Sequence, residues 1–133
     1  MIYVLDACAM LAYLRGEEGG IVVEQLLSQP GASCVAHSVN LCEVYYDFIR
    51  QAGTTLAEEA IHDLHAAGVA ECGDLDAAFW RSVGRIKSTG RISIADSFCL
   101  ALAQRVSGEV VTSDRHEFEA WVPRRLCPIR FIR

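Results

Sequence analysis

The sequence contains no apolar run near the roughly 18 residues of a membrane-spanning helix. Its N-terminus lacks the basic start and small-residue cleavage site of a secretory signal, and Asp6 interrupts the first apolar stretch. Both absences predict a cytoplasmic protein with no membrane partner. None of the six cysteines (Cys8, Cys34, Cys42, Cys72, Cys99, Cys127) belongs to a CxxC pair, and no zinc knuckle is spelled out. Scattered through apolar segments, they read as free thiols rather than as a disulfide framework. GxGxxG, Walker and GxSxG motifs are missing, so nucleotide-cofactor and serine-hydrolase chemistry have no support. Basic residues are outnumbered 12 to 17 by acidic ones. Any binding of nucleic acid must therefore use a local basic patch.

What is present is material for one core. Of the 133 residues, 52% are apolar and 22% charged, which predicts a single domain over residues 1–133. Ile2 to Leu5 is an unbroken apolar run typical of a strand buried on both faces. Asp6 follows, and residues 7–14 are good helix formers. Further helices are expected over 21–28, 39–52, 55–67, from Asp74 or Asp76 to 87, over 93–106 and from 113–114 to 121. Pro123 should end the last of these. Strands are expected at 33–36, 69–72, 110–112 and 128–132, the last at a sheet edge. Strands that alternate with helices predict an α/β fold, a three-layer α/β/α sandwich around a mostly parallel sheet.

The acidic residues carry the chemical signal. Asp6, at the carboxyl end of a central strand, suits an N-cap and equally a ligand site of an open α/β sheet. Asp114 repeats the strand–acid–helix arrangement after Val110-Val111-Thr112. Asn40–Glu43, Ser93–Asp96 and Asp114–Glu117 each have capping-box spacing, as does the Thr55–Glu58 pair. In the helix beginning near residue 39, Leu41, Val44, Tyr45, Phe48 and Ile49 form an apolar face, with Asn40, Glu43 and Asp47 opposite. Asp96 instead shares its stripe with Ile92, Cys99, Leu100 and Ala103 and has no lysine or arginine one helical turn away. A carboxylate buried there needs a partner or a metal. Carboxylates that converge at one sheet edge would repel one another without a cation, and oxygen donors select Mg²⁺ or Mn²⁺.

Four segments, YVLDACAMLAYL, SVNLCEVYY, ISIADSFCLALA and EVVTSDRHEF, together resemble the PIN-domain nucleases, and within them the VapC-type toxins of toxin–antitoxin pairs. The resemblance spans essentially the whole chain. It implies a metal-dependent endoribonuclease in which Asp6, Glu43, Asp96 and Asp114 hold one or two Mg²⁺ or Mn²⁺ ions. Asp6 and Asp96 would be the principal ligands, and Thr112 matches a supporting hydroxyl. It further implies an RNA substrate, a cognate antitoxin protein as partner and a homodimer. One position departs from the pattern: relatives often carry Ser or Thr shortly after the first aspartate, where this chain has Ala7 and Cys8.

For the substrate, Arg81, Arg85, Lys87 and Arg91 are the local basic cluster, and Arg81 and Arg85 share a helix face. Arg115 adjoins Asp114. His62 and His65 lie on one helix face without a third ligand, and His116 stands beside the Asp114 segment. Competing readings are a catalytically silent PIN fold that only binds, an RNA-processing nuclease that is not a toxin, and a phosphatase-like nucleophile at Asp6. The last usually wants a second acid where Cys8 stands.

Overall fold

The computed structural model describes residues 1–133. Five strands, β1 (Ile2–Leu5), β2 (Ser33–His37), β3 (Val69–Cys72), β4 (Glu109–Thr112) and β5 (Ile129–Phe131), form one parallel sheet in the order β3-β2-β1-β4-β5. The helices are α1 (Ala7–Arg15), α2 (Gly20–Ser28), α3 (Ser38–Ala52), α4 (Thr54–Ala66), α5 (Ala77–Ser88), α6 (Ile94–Val106) and α7 (Arg115–Phe118). A 3₁₀ segment, Glu119–Arg124, follows α7.

The alternation of side chains along β1 divides the interior in two. Tyr3 and Leu5 pack with Met10, Val23, Leu26, Leu41, Val44 and Leu64, under helices α1 to α4. Val4 points to the other face and packs with Phe79, Val83, Ile86, Leu100, Leu102 and Phe118, under α5, α6 and α7. This is the expected sandwich, and β5 is the expected edge strand. Parallel strands covered on both faces read as continuous apolar runs, which is why β1 and β4 were recognisable.

Strand order reverses at β1 and β4. The chain leaves β1 towards β2, whereas it leaves β4 towards β5, so a crevice opens at the carboxyl ends of these two strands. Asp6 and Asp114 stand at that point.

Several local expectations are corrected. Asp76, not Asp74, caps α5, accepting from Phe79 N at 3.4 Å. Arg105 also grips Asp76 through two nitrogens, at 2.6 and 2.9 Å, and this contact pulls the Asp76 carboxyl down to about 2. Thr55 and Glu58 do not form a capping box, because Thr55 lies inside α4, whose N-cap is Gly53; the Glu58 carboxylate accepts from the Tyr45 hydroxyl at 2.6 Å. Ile49 is exposed at the outer end of α3. Pro123 lies inside the 3₁₀ segment rather than ending the helix at Trp121. A tighter coil of short length spares the i−4 carbonyl that a proline ring would strike in an α-helix.

Two glycines in helices should respond oppositely to the same substitution. A Cβ on Gly20 would stand 2.5 Å from Ala12 O, where α2 crosses α1, while one on Gly84 in α5 meets nothing within 4 Å. Gly84→Ala should stabilise the fold by about 0.5–1 kcal/mol, and Gly20→Ala should destabilise it by about 1–3 kcal/mol. Urea unfolding of both variants measures the contrast.

Candidate active site

Asp6 is 1% exposed, and each of its carboxylate oxygens is already engaged. Oδ1 accepts from Ala9 N at 2.8 Å and so caps α1. Oδ2 accepts from the Thr112 hydroxyl. That hydroxyl in turn accepts from Asp114 N at 2.9 Å. With Asp6 ionised, the relay runs one way: Asp114 N–H to Thr112 Oγ1, Thr112 O–H to Asp6. The parallel ladder sets this register, with Leu5 opposite Val111 and Asp6 N donating to Val111 O at 3.2 Å. Asp114 caps α7 through its Oδ1, accepting from Glu117 N at 3.0 Å. The N-cap and ligand-site roles of Asp6 are therefore compatible at a single side chain.

Asp96 enters from α6. Ser93 caps that helix, its hydroxyl accepting from Asp96 N at 3.1 Å. The return half of the expected capping box is taken by another residue, because Ser93 N donates to Glu117 Oε2 at 3.2 Å. The Asp96 carboxylate therefore does not take the Ser93 backbone N–H. Glu43 enters from α3, held by Asn40, whose amide nitrogen donates to Glu43 Oε1 at 3.2 Å and to Ala95 O at 3.1 Å. Asn40 was expected on an outward face as a cap; instead it is wholly buried, and His37 caps α3. Its position ties α3 to α6 beside Asp96.

The resulting field is strongly unfavourable to negative charge. Burial pushes the Asp6 carboxyl up to about 8 against the opposing pull of its two hydrogen bonds, with Asp96 and Glu43 adding repulsion. Asp96 is pushed up to about 7 by burial, against an opposing pull from the Ser93 side chain, with Glu43, Glu117 and Asp114 adding repulsion. Glu43 is raised by burial and by Glu117. Cys8 lies in the same field: burial comes first and the four candidate acids add to it, so its thiol is pushed up to about 12 and stays neutral. Five acidic side chains thus act on one another at the β1–β4 crevice.

In chemistry this donor set fits a hard divalent cation, since carboxylate oxygens dominate it and a cation would relieve their repulsion. Asn40 Oδ1, buried beside Glu43, has no hydrogen-bond partner, a cost of about 1–3 kcal/mol. In position the set is more open. No three carboxylate, imidazole or thiol groups stand close enough together to enclose an ion in this conformation.

The basic candidates separate into two kinds. Arg115 is committed to structure, with Nε donating to Arg133 O at 3.0 Å and its guanidinium over the Phe131 ring at 4.5 Å. Arg81, Arg85, Lys87 and Arg91 are exposed and meet no carboxylate. His62 and His65 are exposed on α4, and His65 faces Glu71 at 3.5 Å. His116 is exposed and lines a hollow beside Glu117. Sequence reasoning missed Arg124 and gave Glu117 and Asn40 only capping roles. For Asn40, its place one turn before Val44 in an apolar segment was the available signal.

The PIN domain family model matches residues 3–120. The chain belongs to the PIN domain family. No curated protein sequence matches this PIN domain significantly. Solved structures match its fold. The chain of VapBC-1 from nontypeable Haemophilus influenzae has a TM-score of 0.74 at 17% identity, covering 99% of this chain and 98% of that one. VapBC2 from Rickettsia felis, bound to a promoter DNA fragment, gives 0.74 at 14% identity, covering 98% of each chain. VapC20 from Mycobacterium tuberculosis, described as a sarcin-ricin loop cleaving toxin, gives 0.70 at 17% identity, covering 91% of this chain and 95% of that one.

The raised carboxyl of Asp6 fixes the sign of a pH effect on this PIN domain. Between its ordinary value of 3.8 and about 8, the folded state holds a proton that the unfolded state has released. Stability in EDTA should therefore be fullest below about pH 4 as far as Asp6 is concerned. It should then fall as pH rises to about 8, by at most about 1.4 kcal/mol per pH unit for that proton. Asp6→Asn should flatten this slope, which urea titrations at a series of pH values would measure.

Proposed function

We propose that this PIN domain is a Mg²⁺- or Mn²⁺-dependent endoribonuclease and the toxin half of a type II toxin–antitoxin pair. The observation that carries the reading is the mutual repulsion of Asp6, Asp96, Asp114 and Glu43 around the β1–β4 crevice, where burial and that repulsion raise the Asp6 carboxyl to about 8 and the Asp96 carboxyl to about 7. A binding surface alone would gain nothing from that cost. The family match supports nuclease activity, and the similarity to VapBC chains supports the toxin assignment with an antitoxin protein as partner; a homodimer is the assembly that the family resemblance implies. RNA as substrate is favoured by a structural neighbour described as a sarcin-ricin loop cleaving toxin.

Asp6 and Asp96 would be the principal holders of the ion, with Asp114 and Glu43 completing the set. When bound, such an ion polarises a phosphate and lowers the pKa of water to make a nucleophile near neutral pH. The protein's own groups do the rest. Thr112 fixes the rotation of the Asp6 carboxylate and joins it to the start of α7. Asn40 holds Glu43 by Oε1, leaving Oε2 to accept a proton from an approaching water. Glu117, by bonding Ser93 N, keeps that backbone donor from tying down Asp96.

Purified protein incubated with total RNA should give discrete products with Mn²⁺ or Mg²⁺ and none in EDTA. Asp96→Asn should lower cleavage by more than about 100-fold, and Thr112→Val by roughly 10–100-fold, as for residues that orient a metal ligand. Identical products from wild type and Asp96→Asn would identify a contaminant and overturn the assignment.

A further inference from the structure

Five of the twelve lysine and arginine side chains meet a carboxylate: Arg15, Arg105, Arg115, Arg130 and Arg133. The other seven are not scattered. Arg50 lies over the Tyr46 ring, and the remaining six, Arg81, Arg85, Lys87, Arg91, Arg124 and Arg125, all lie in α5, the turn after it, or the end of the 3₁₀ segment. In a chain of net charge −5, this gathers positive charge without a carboxylate partner into a basic strip along α5 and the end of the 3₁₀ segment.

The strip is hollowed as well as charged. A cavity of about 680 Å³ opens between the turn after α5 and the 3₁₀ segment, with Lys87, Arg91 and Arg124 around it and Ser93 and Glu117 at its inner end. Ser93 and Glu117 bond each other, and Ser93 caps the turn that carries Asp96, so this cavity adjoins the acidic cluster. Beyond Arg124 lies a second cavity of about 600 Å³ between α5 and α6, floored by Phe79, Ile86 and Trp121 with Arg85 at its rim.

Arg124 stands between the two and is held without a counter-charge. It donates to Thr89 Oγ1 at 3.1 Å and to Thr89 O at 2.9 Å, and it lies over the Trp121 ring at 4.2 Å. Gly90 permits this packing, because a Cβ there would stand 3.0 Å from the Trp121 ring. An arginine oriented in this way loses little further freedom on meeting a phosphate.

We propose that this strip is the track for single-stranded RNA flanking the scissile phosphate, which rests on the nuclease reading above. Lys87, Arg91 and Arg124 take successive backbone phosphates as the strand leaves the acidic cluster. The cavity floored by Phe79, Ile86 and Trp121 takes an unstacked base. Duplex RNA keeps its bases stacked and paired and cannot fill that cavity. Exposed Trp80, with Arg81 over its ring at 4.7 Å, offers a further stacking surface at the far end.

The test is fluorescence anisotropy of a labelled single-stranded RNA 12-mer on protein carrying Asp96→Asn, in EDTA, over a range of salt. Arg91→Glu should weaken binding by about 10-fold or more. It should also reduce the salt slope by about 0.7, the amount expected for one phosphate of a single strand no longer neutralised. Arg124→Glu should do the same, and because it also removes the bonds to Thr89, exposed Arg91→Glu and Lys87→Glu are the deciding variants. Arg50→Glu should bind as the parent does, and the matching duplex should bind more weakly than the single strand. Parental binding by both Arg91→Glu and Lys87→Glu would overturn the track while leaving metal-dependent cleavage standing. Displacement of the RNA by polyglutamate of equal charge, with no preference for single strands, would overturn it in favour of an acidic protein partner. Binding with the expected slope but no metal-dependent cleavage by wild type would support the track and sink the nuclease reading instead.

Discussion

Everything at the sheet edge depends on a carboxylate placed where water cannot reach it. An isolated buried carboxylate costs several kcal/mol, and Asp6 has no lysine or arginine partner to offset it. Its compensation is the Ala9 amide and the Thr112 hydroxyl. The first follows from helix α1 starting at once after β1. The second requires β4 beside β1 in one register only, since a slip of one residue would turn Thr112 to the opposite face. The long crossover through α5 and α6 is thereby tied to a single hydrogen bond at the centre of the sheet.

What the sequence disclosed was whatever a local pattern dictates. Continuous apolar runs marked β1 and β4, and an acid after each of them marked the crevice. The one-turn isolation of Asp96 in an apolar stripe showed that its carboxylate would need a partner from elsewhere. What stayed hidden depends on which segments meet in space. Asn40 has the spacing of a cap for Glu43, yet its function is set by Ala95, fifty-five residues away. Glu58 has capping-box spacing and is claimed by Tyr45 on the neighbouring helix. Ser93 and Asp96 form half of a box because Glu117 arrives from beyond β4 to take the other half. In each case a group from elsewhere in the chain takes up a donor or acceptor, and residue spacing within one helix does not contain that group.

Net charge says nothing of where the charges lie, for the same reason. The chain is acidic overall, but the charges that lack an opposite partner are sorted into two places. Carboxylates crowd the β1–β4 crevice, and the basic residues without a carboxylate partner lie mainly along α5 and the 3₁₀ segment. Sorting of this kind is unfavourable within each group and favourable between them. An anionic strand lying along the basic strip, with a cation among the acids, would answer both imbalances at adjoining places.

The choice of a hydroxyl at residue 112 suits a site whose charge changes. Thr112 Oγ1 already accepts from the Asp114 amide, which leaves it one hydrogen and one lone pair. When Asp6 is ionised, the hydrogen is donated to Oδ2, as the geometry has it. When Asp6 is protonated, the carboxyl proton can be donated to the remaining lone pair, and the hydroxyl hydrogen turns away about its own bond. The contact therefore survives in either state with no movement of the backbone. A second carboxylate there would repel the ionised form, and valine would leave Oδ2 without its partner in both forms. A rotating hydroxyl is the side chain that can hold one buried acid in place through both the loss and the return of its proton.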